Sequence, residues 1–382
     1  MVGRHAREKA PAPGRRSWVA GLIAVPVLAS GAVGVGLFVG DSSTTSTSAP
    51  TTTSTQPLAS TTTTVPRTIT IAAVGDTELG NSPRVPSDPT AYLGNMKAAL
   101  AAPIVFGNLE GTMTDSTVSK CATTSIYCYA FRVPPSFAPV YRAAGFTIMN
   151  SANNHAFDFG QVGANDTTAA LRSAGIVQAG LPGEIGIVHE GSVKVAFVDF
   201  APYYNTNNLL DQANATQLIS RAKRLADLVV VYMHAGAEGT SADHVTRGTE
   251  TYFGENRGNP YAFAHAAVDA GADLVIASGP HVLRGLQWYR GHLIDYSLGD
   301  FVNYYDFATV GDLSLSAILH VTLGTDGTFR SGRFTSLILQ PSGSASVDPG
   351  QAAAAFVNRL SREDFGPSAA LIGASGEIVA PA

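Results

Sequence analysis

From Arg67 onward, short β-branched apolar runs alternate with stretches of helical periodicity, and this alternation constrains the fold more than any other feature. TITIAAVG (68–75), PIVFGN (103–108), FTIMNSA (146–152), VKVAFVDF (193–200), LVVVYMH (228–234) and DLVIASG (273–279) read as buried strands. Helical stretches lie between them: near Ala91–Leu100, in PPSFAPVYRAAG, over Gln161–Ala174, in ATQLISRAKRLADL and over Asn259–Ala272; IVQAG adds a strand. Such alternation requires parallel strands joined by crossover helices. After Gly279 the pattern changes. LQWYRGHLIDYSLG, LSLSAILHVTL and FRSGRFTSLIL follow one another without helical spacing, which predicts hairpins. The expectation is a mixed α/β architecture of two packed sheets.

In open α/β sheets the functional loops gather at the carboxyl ends of strands. Here the first strand ends in GDTE, offering Asp76 and Glu78, and the second in GNLEG, offering Asn108 and Glu110. The third runs into SANNHAFDFG, with Asn153, Asn154, His155 and Asp158. LVVVYMH ends at His234, with Glu238 just beyond, and DLVIASG leads to His281. Singly, such residues are ordinary turn formers. Gathered on one edge of one sheet, they predict a common site. Imidazole mixed with carboxylate oxygen suits Mn, Zn or Fe, as one ion or two, and such ions support hydrolysis. Arg284 and Arg132 are the nearby guanidinium groups suited to a substrate carboxylate or phosphate.

The first 66 residues predict something other than a folded core. Ser17–Gly40 carries no charge and includes 23 residues, WVAGLIAVPVLASGAVGVGLFVG, against the ~20 that span a bilayer. A secretory h-region is shorter, about 7–15 residues, so a retained anchor is the reading, with a cleaved signal peptide as the alternative. Arg4, Arg7, Lys9, Arg15 and Arg16 precede it against Glu8 alone, which directs the N-terminus to the cytoplasm and the domain outward. Residues 41–66 hold 17 Ser or Thr and three Pro and have almost nothing to bury. The expected order is a basic tail (1–16), an anchor (17–40), a disordered stalk (41–66), a folded domain (67–345) and a C-terminal extension (346–382). The formal charge is -5 although the tail is basic, so the domain is acidic and unsuited to nucleic acid. The two cysteines, Cys121 and Cys128, read as a local disulfide in an oxidising compartment.

The segments GD (75–76), NLEG (108–111), FRVPP (131–135), SANNHAFDFG (151–160), HAGAE (234–238) and PHVLRG…YSLGDF (280–301) resemble the signature blocks of the CapA family. Its members are capsule-biosynthesis proteins associated with poly-γ-glutamate. The resemblance covers roughly residues 68–305 and implies a metallophosphoesterase-like (calcineurin-like) αββα sandwich of two mixed sheets. It implies Asp76, Glu110, Asn154, His234 and His281 as metal ligands, and His155, Asp158 and Glu238 as catalytic residues. Asn108, Asn153, Arg284 and Arg132 would then face the substrate. Two departures stand out: Glu78 replaces the histidine of an Asp-x-His motif, and Gly279 replaces one before His281. The implied function is synthesis, export or processing of an anionic surface polymer beside membrane synthase or export subunits, through a metal-dependent hydrolase-like site. A non-catalytic polymer-binding accessory subunit and a phosphodiesterase are the alternatives.

Overall fold

The computed structural model describes residues 67–122 and 128–379. The tail, anchor and stalk expected over residues 1–66 lie outside the described residues. Among the described residues no helix is long and apolar enough to cross a membrane.

The chain opens with β1 (Thr68–Glu78), α1 (Pro89–Gly94), β2 (Ile104–Leu109) and a small pair, β3 (Thr112–Met113) with β4 (Arg132–Val133). Then come α2 (Ala138–Ala144), β5 (Ile148–Asn150), α3 (Gly160–Ser173), β6 (Val177–Ala179), β7 (Gly186–Glu190) and β8 (Val193–Phe200). Next are α4 (Gln212–Leu225), β9 (Leu228–His234), the β10 (Thr251–Tyr252) and β11 (Glu255–Asn256) hairpin, and α5 (Pro260–Asp269). The last part holds β12 (Leu274–Ser278), β13 (Leu286–Tyr289), β14 (His292–Asp295) and β15 (Asp300–Asn303). It closes with β16 (Leu315–Gly324), β17 (Phe329–Leu339), β18 (Ala345–Val347) and α6 (Ala352–Phe365).

Two mixed sheets result. One runs β18-β17-β16-β1-β2-β5-β6, with β15 also paired to β1; the other runs β13-β14-β12-β9-β8-β7. The near-continuous apolar strands are explained by cover on both faces. Ile69, Ile71 and Ala73 of β1 meet Val195 and Phe197 of β8 and Val230 of β9 between the sheets. Alternate residues point outward: Ala72 and Val74 toward α1 and α2, and Val198, Val229 and Val231 toward α4 and α5. The layers are therefore helix, sheet, sheet, helix.

The structure alters two expectations. The helix anticipated to Leu100 stops at Gly94. Asp88 caps its start, accepting from Ala91 N–H at 2.9 Å, but glycine is a poor helix former and the chain continues as turns. The C-terminal segment is not an appendage. Ala353, Ala354 and Val357 of α6, with Ile372 and Ile378, join the core between the sheets.

Candidate metal centre

The carboxyl ends of β1, β2 and β5 lie beside those of β9 and β12, so the polar strand ends come together from two sheets rather than from one edge of one. Asp76 is the hub. Its Oδ1 accepts from Asn108 Nδ2 at 2.7 Å and from the Ser278 hydroxyl, and lies 3.8 Å from His234 Nδ1. Its Oδ2 accepts the Gly279 N–H at 3.3 Å and lies 3.3 Å from His281 Nδ1. Two buried trios share this carboxylate: Asp76 with Glu110 and His234, and Asp76 with His281 and Asp300. Within each, one ligand-type atom per residue lies within 4.8 Å of the others.

Backbone geometry explains the meeting. Asp300 sits opposite Asp76 in the parallel β1–β15 pair, and Asp76 N–H donates to Gly299 O at 2.9 Å. Gly75 permits this approach, since a Cβ there would lie 1.9 Å from the Gly299 carbonyl oxygen. His281 adopts φ 58°, a left-handed conformation rare for a residue with a Cβ and a form of strain that clusters at functional sites.

Glu110 Oε1 lies 3.8 Å from His234 Nε2, 3.9 Å from His281 Nε2 and 4.0 Å from His155 Nε2. Glu110 is 1% exposed, and neither its carboxylate oxygens nor His234 Nε2 have a hydrogen-bond partner among the described residues. An unpaired buried carboxylate is costly, and buried charges are normally paired or coordinate a metal. Orphaned carboxylate oxygens beside imidazole nitrogens are the donor set a divalent cation takes, so these residues fit one.

Burial is the largest influence on Asp76, Glu110, His155, His234 and His281. It lifts Glu110 well above the carboxylate range, with the charge of Asp76 adding to the effect. It pushes His234 down to about 3 against the pull of Asp76. Burial alone would also raise Asp76, but the His281 hydrogen bond and the nearby His234 bring it down to about 2. His281 overcomes burial in the same way and is held well above its usual value by Asp300 and Glu110.

His155 occupies a different corner. Its Nδ1 donates to Asp158 Oδ2 at 2.7 Å, which leaves Nε2 facing Glu110. Asp158 Oδ2 also accepts the Phe131 N–H at 2.6 Å, while Oδ1 pairs with Lys120 Nζ at 2.6 Å. Burial pushes His155 below its ordinary value, against the opposing pull of Asp158, which favours the neutral imidazole.

Of the residues singled out in the sequence, Asp76, Glu110, His155, His234 and His281 converge. Glu238 stands at the rim, with Oε2 3.8 Å from His281 Nε2 and Oε1 2.7 Å from Arg257 Nη2. Asn154 is half-buried, and its Oδ1 lacks a donor among the described residues. Asn108 and Asn153 are not free for substrate. Asn108 Oδ1 accepts from Asn150 at 2.6 Å and Asn153 at 2.9 Å, and Asn153 Oδ1 accepts the His155 N–H at 2.9 Å, so both are struts. Arg284 is also withdrawn as a substrate group. It is fully buried and gripped by both Glu250 oxygens, at 2.7 and 3.2 Å, and its Nε donates to Ala242 O at 2.8 Å. Arg132 lies half-buried, its guanidinium 5.4 Å from the Phe159 ring centroid. Cys121 and Cys128 are joined by a disulfide.

Sequence reasoning missed Asp300, Asn150, Ser278, Lys120 and Arg257. A signal existed for the first: GD at 299–300 repeats the strand-end GD at 75–76. The others are common residue types that only the tertiary fold brings to the site.

A layered α/β protein with a buried carboxylate–imidazole centre between two sheet edges is the class that fold and site define. The chain belongs to the family described as bacterial capsule synthesis protein PGA_cap, whose profile matches residues 70–305. It is 32% identical over 251 residues to the PGA biosynthesis protein CapA of Bacillus subtilis (strain 168), covering 61% of this chain and 60% of that protein. It is 32% identical over 209 residues to the capsule biosynthesis protein CapA of Bacillus anthracis, covering 49% and 46%. A protein of Mycobacterium tuberculosis (strain ATCC 25618 / H37Rv) called "Probable polyglutamine synthesis accessory protein" is 29% identical over 226 residues, covering 52% and 55%. The chain thus spans about three fifths or less of the length of these relatives. Among solved structures, a 5'-nucleotidase precursor from Thermus thermophilus is similar with TM-score 0.40 and 12% identity, covering 73% of this chain and 56% of that one. Purple acid phosphatase PPD1 from yellow lupin seeds is similar with TM-score 0.37 and 10% identity, covering 74% and 53%.

Proposed function

We propose that this chain is a membrane-anchored, extracytoplasmic protein that acts on an anionic surface polymer of the poly-γ-glutamate type through a metal-dependent, hydrolase-like site in a metallophosphoesterase-like fold. The observation that carries the chemistry is the pair of buried trios sharing Asp76, with the orphaned Glu110 oxygens and His234 Nε2 at its heart. The names of the Bacillus relatives support the polymer class. The charge-free segment 17–40 supports the anchor, and the Cys121–Cys128 disulfide supports an oxidising compartment.

Asp76, Glu110, His234, His281 and Asp300 would hold one or two divalent ions, with Asn154 Oδ1 as a further oxygen. A cation there supplies Lewis-acid polarisation of a carbonyl or phosphoryl oxygen. The residues of the chain do the rest. Asp158 fixes the proton of His155 on Nδ1 and leaves Nε2 as the base, able to take a proton from water and return it to a departing amine or alkoxide. Asn108, Asn150 and Asn153 lock the floor, and the Phe307 ring stacks 4.3 Å from His281, covering it.

A second reading, a non-catalytic accessory subunit, is favoured by Glu78 and Gly279 at positions where the resemblance implies imidazole, and by the accessory role in the mycobacterial relative's name. One experiment separates the two. The full chain, loaded with Mn or Zn, is assayed for cleavage of poly-γ-glutamate and of bis(p-nitrophenyl) phosphate, beside direct binding of the polymer. Cleavage of either probe supports the hydrolase; polymer binding without cleavage under either metal sinks it in favour of the accessory reading.

A further inference from the structure

We propose that the Cys121–Cys128 disulfide, with Lys120 on one flank and Phe131 on the other, is a positioning device for His155, and that Lys120 is the positioning residue on the flank without a strand. The inference rests on the reading of His155 as a working group. It is carried by the contacts of one carboxylate. Asp158, fully buried, receives partners from both flanks of the staple. From the C-terminal flank the Phe131 N–H donates to Oδ2 at 2.6 Å. From the N-terminal flank the Lys120 ammonium lies 2.6 Å from Oδ1, and the Lys120 N–H donates to Asp158 O at 2.7 Å. Lys120 Nζ also donates to Asn154 O at 3.1 Å, so the same side chain ties down the residue preceding His155.

The two flanks are not held equally. Phe131 is moored: its carbonyl accepts the Thr112 N–H and the Thr112 hydroxyl, each at 3.1 Å, and its ring lies 4.4 Å from the His155 ring. The next residues, Arg132 and Val133, pair with β3. Lys120 has no such strand, and its side chain is 37% exposed. The bond between its neighbour Cys121 and Cys128 connects the free flank to the moored one. Closing a short loop covalently removes the freedom Lys120 would otherwise lose on reaching Asp158. Apart from Lys120, Asp158 Oδ1 has no hydrogen-bond partner among the described residues. Without Lys120 a buried carboxylate oxygen is orphaned, and the carboxylate that fixes the His155 ring is free to turn.

The test compares the metal-loaded full chain with Lys120→Gln, Lys120→Arg and the double variant Cys121→Ser/Cys128→Ser. The readouts are metal content, kcat and KM on whichever of the two probes above is cleaved, and the downfield nitrogen-bound proton resonance of the His155 ring. That resonance reports the Nδ1–Asp158 hydrogen bond whether or not any probe turns over. Lys120→Gln and the double serine variant are expected to weaken this resonance and lower kcat about 10-fold, within the range for residues that orient a site, with KM and metal content unchanged. Lys120→Arg is expected to restore most of both. A wild-type resonance in Lys120→Gln and in the double variant overturns the proposal, as does lost thermal stability with unchanged kcat. If instead His155→Gln leaves turnover intact, the reading of His155 as the working base fails, and the resonance still decides the positioning role.

Discussion

His155 and His244 each meet an aspartate through Nδ1 at 2.7 Å, His155 with Asp158 and His244 with Asp364. The first pair is buried and the second has its imidazole half in water. The partner at Nδ1 is the largest influence on His244 and raises it above 6.5, which favours the charged imidazole. At His155 burial outweighs Asp158 and the imidazole is held below 6.5. One contact thus favours the charged imidazole in one place and the neutral one in the other. What separates them is desolvation of the charged form. His281 marks a third regime, in which three carboxylates, Asp300, Glu110 and Asp76, outweigh even full burial.

The largest expected effect tests whether the neighbourhood of His155 is a cation site at all. Asp76→Ala removes the carboxylate shared by both trios, so metal retained after gel filtration should fall to background, with affinity down about 100-fold or more. Mass-spectrometric metal content decides it. A variant that keeps wild-type metal would detach the trios from any cation and leave the low pKa of Asp76 without a role.

His155→Gln sharpens the comparison directly. Glutamine keeps a polar side chain but cannot carry a proton between water and a leaving group. Turnover should fall roughly 10²–10⁴-fold while metal content stays at the wild-type level. Loss of metal together with turnover would make His155 a ligand, and equal turnover would make the buried pair as incidental as the surface one.

The strand ends were legible because chemistry stands at the ends of buried runs, where polar residues are conspicuous. GDTE, GNLEG, SANNHAFD and YMH each announce themselves. The sequence did not disclose which face each residue takes. Asn108 looks like a substrate group in isolation, but β1 and β5 bring Asp76, Asn150 and Asn153 onto both ends of its amide. Arg284, just ahead of β13, looks similarly available, yet the fold buries it against Glu250, 34 positions away. Lys120 was invisible because nothing local distinguishes it from any exposed lysine. Two-sheet convergence was out of reach for the same reason: β12 and β15 carry His281 and Asp300 to Asp76 from more than 200 positions away.

Arg284 and Glu250 supply a buried ion pair with no part in the site, and hence a control. Glu250→Gln leaves a fully buried guanidinium short of its counter-charge, so unfolding free energy should drop by about 3–5 kcal/mol in denaturant titration. Metal content per folded molecule should not change. A variant that folds normally but loses polymer binding would return Arg284 to the substrate side.

The smallest effect belongs to the exposed pair. Because the folded value of His244 lies above its unfolded value of 6.5, protonation favours the folded state. That stabilisation is complete below pH 6.5 and disappears as pH rises through the folded value. Half its side chain is in water, so screening keeps it within the surface range, roughly 0.2–1 kcal/mol. His244→Ala should therefore lower stability at about pH 5.5 and have little effect at about pH 9, with high salt shrinking the difference at the lower pH. Denaturant midpoints at the two pH values read this out. A loss of the same size at both would mean that His244 secures α6 by packing rather than by charge, and the contrast with His155 would then rest on geometry instead of desolvation.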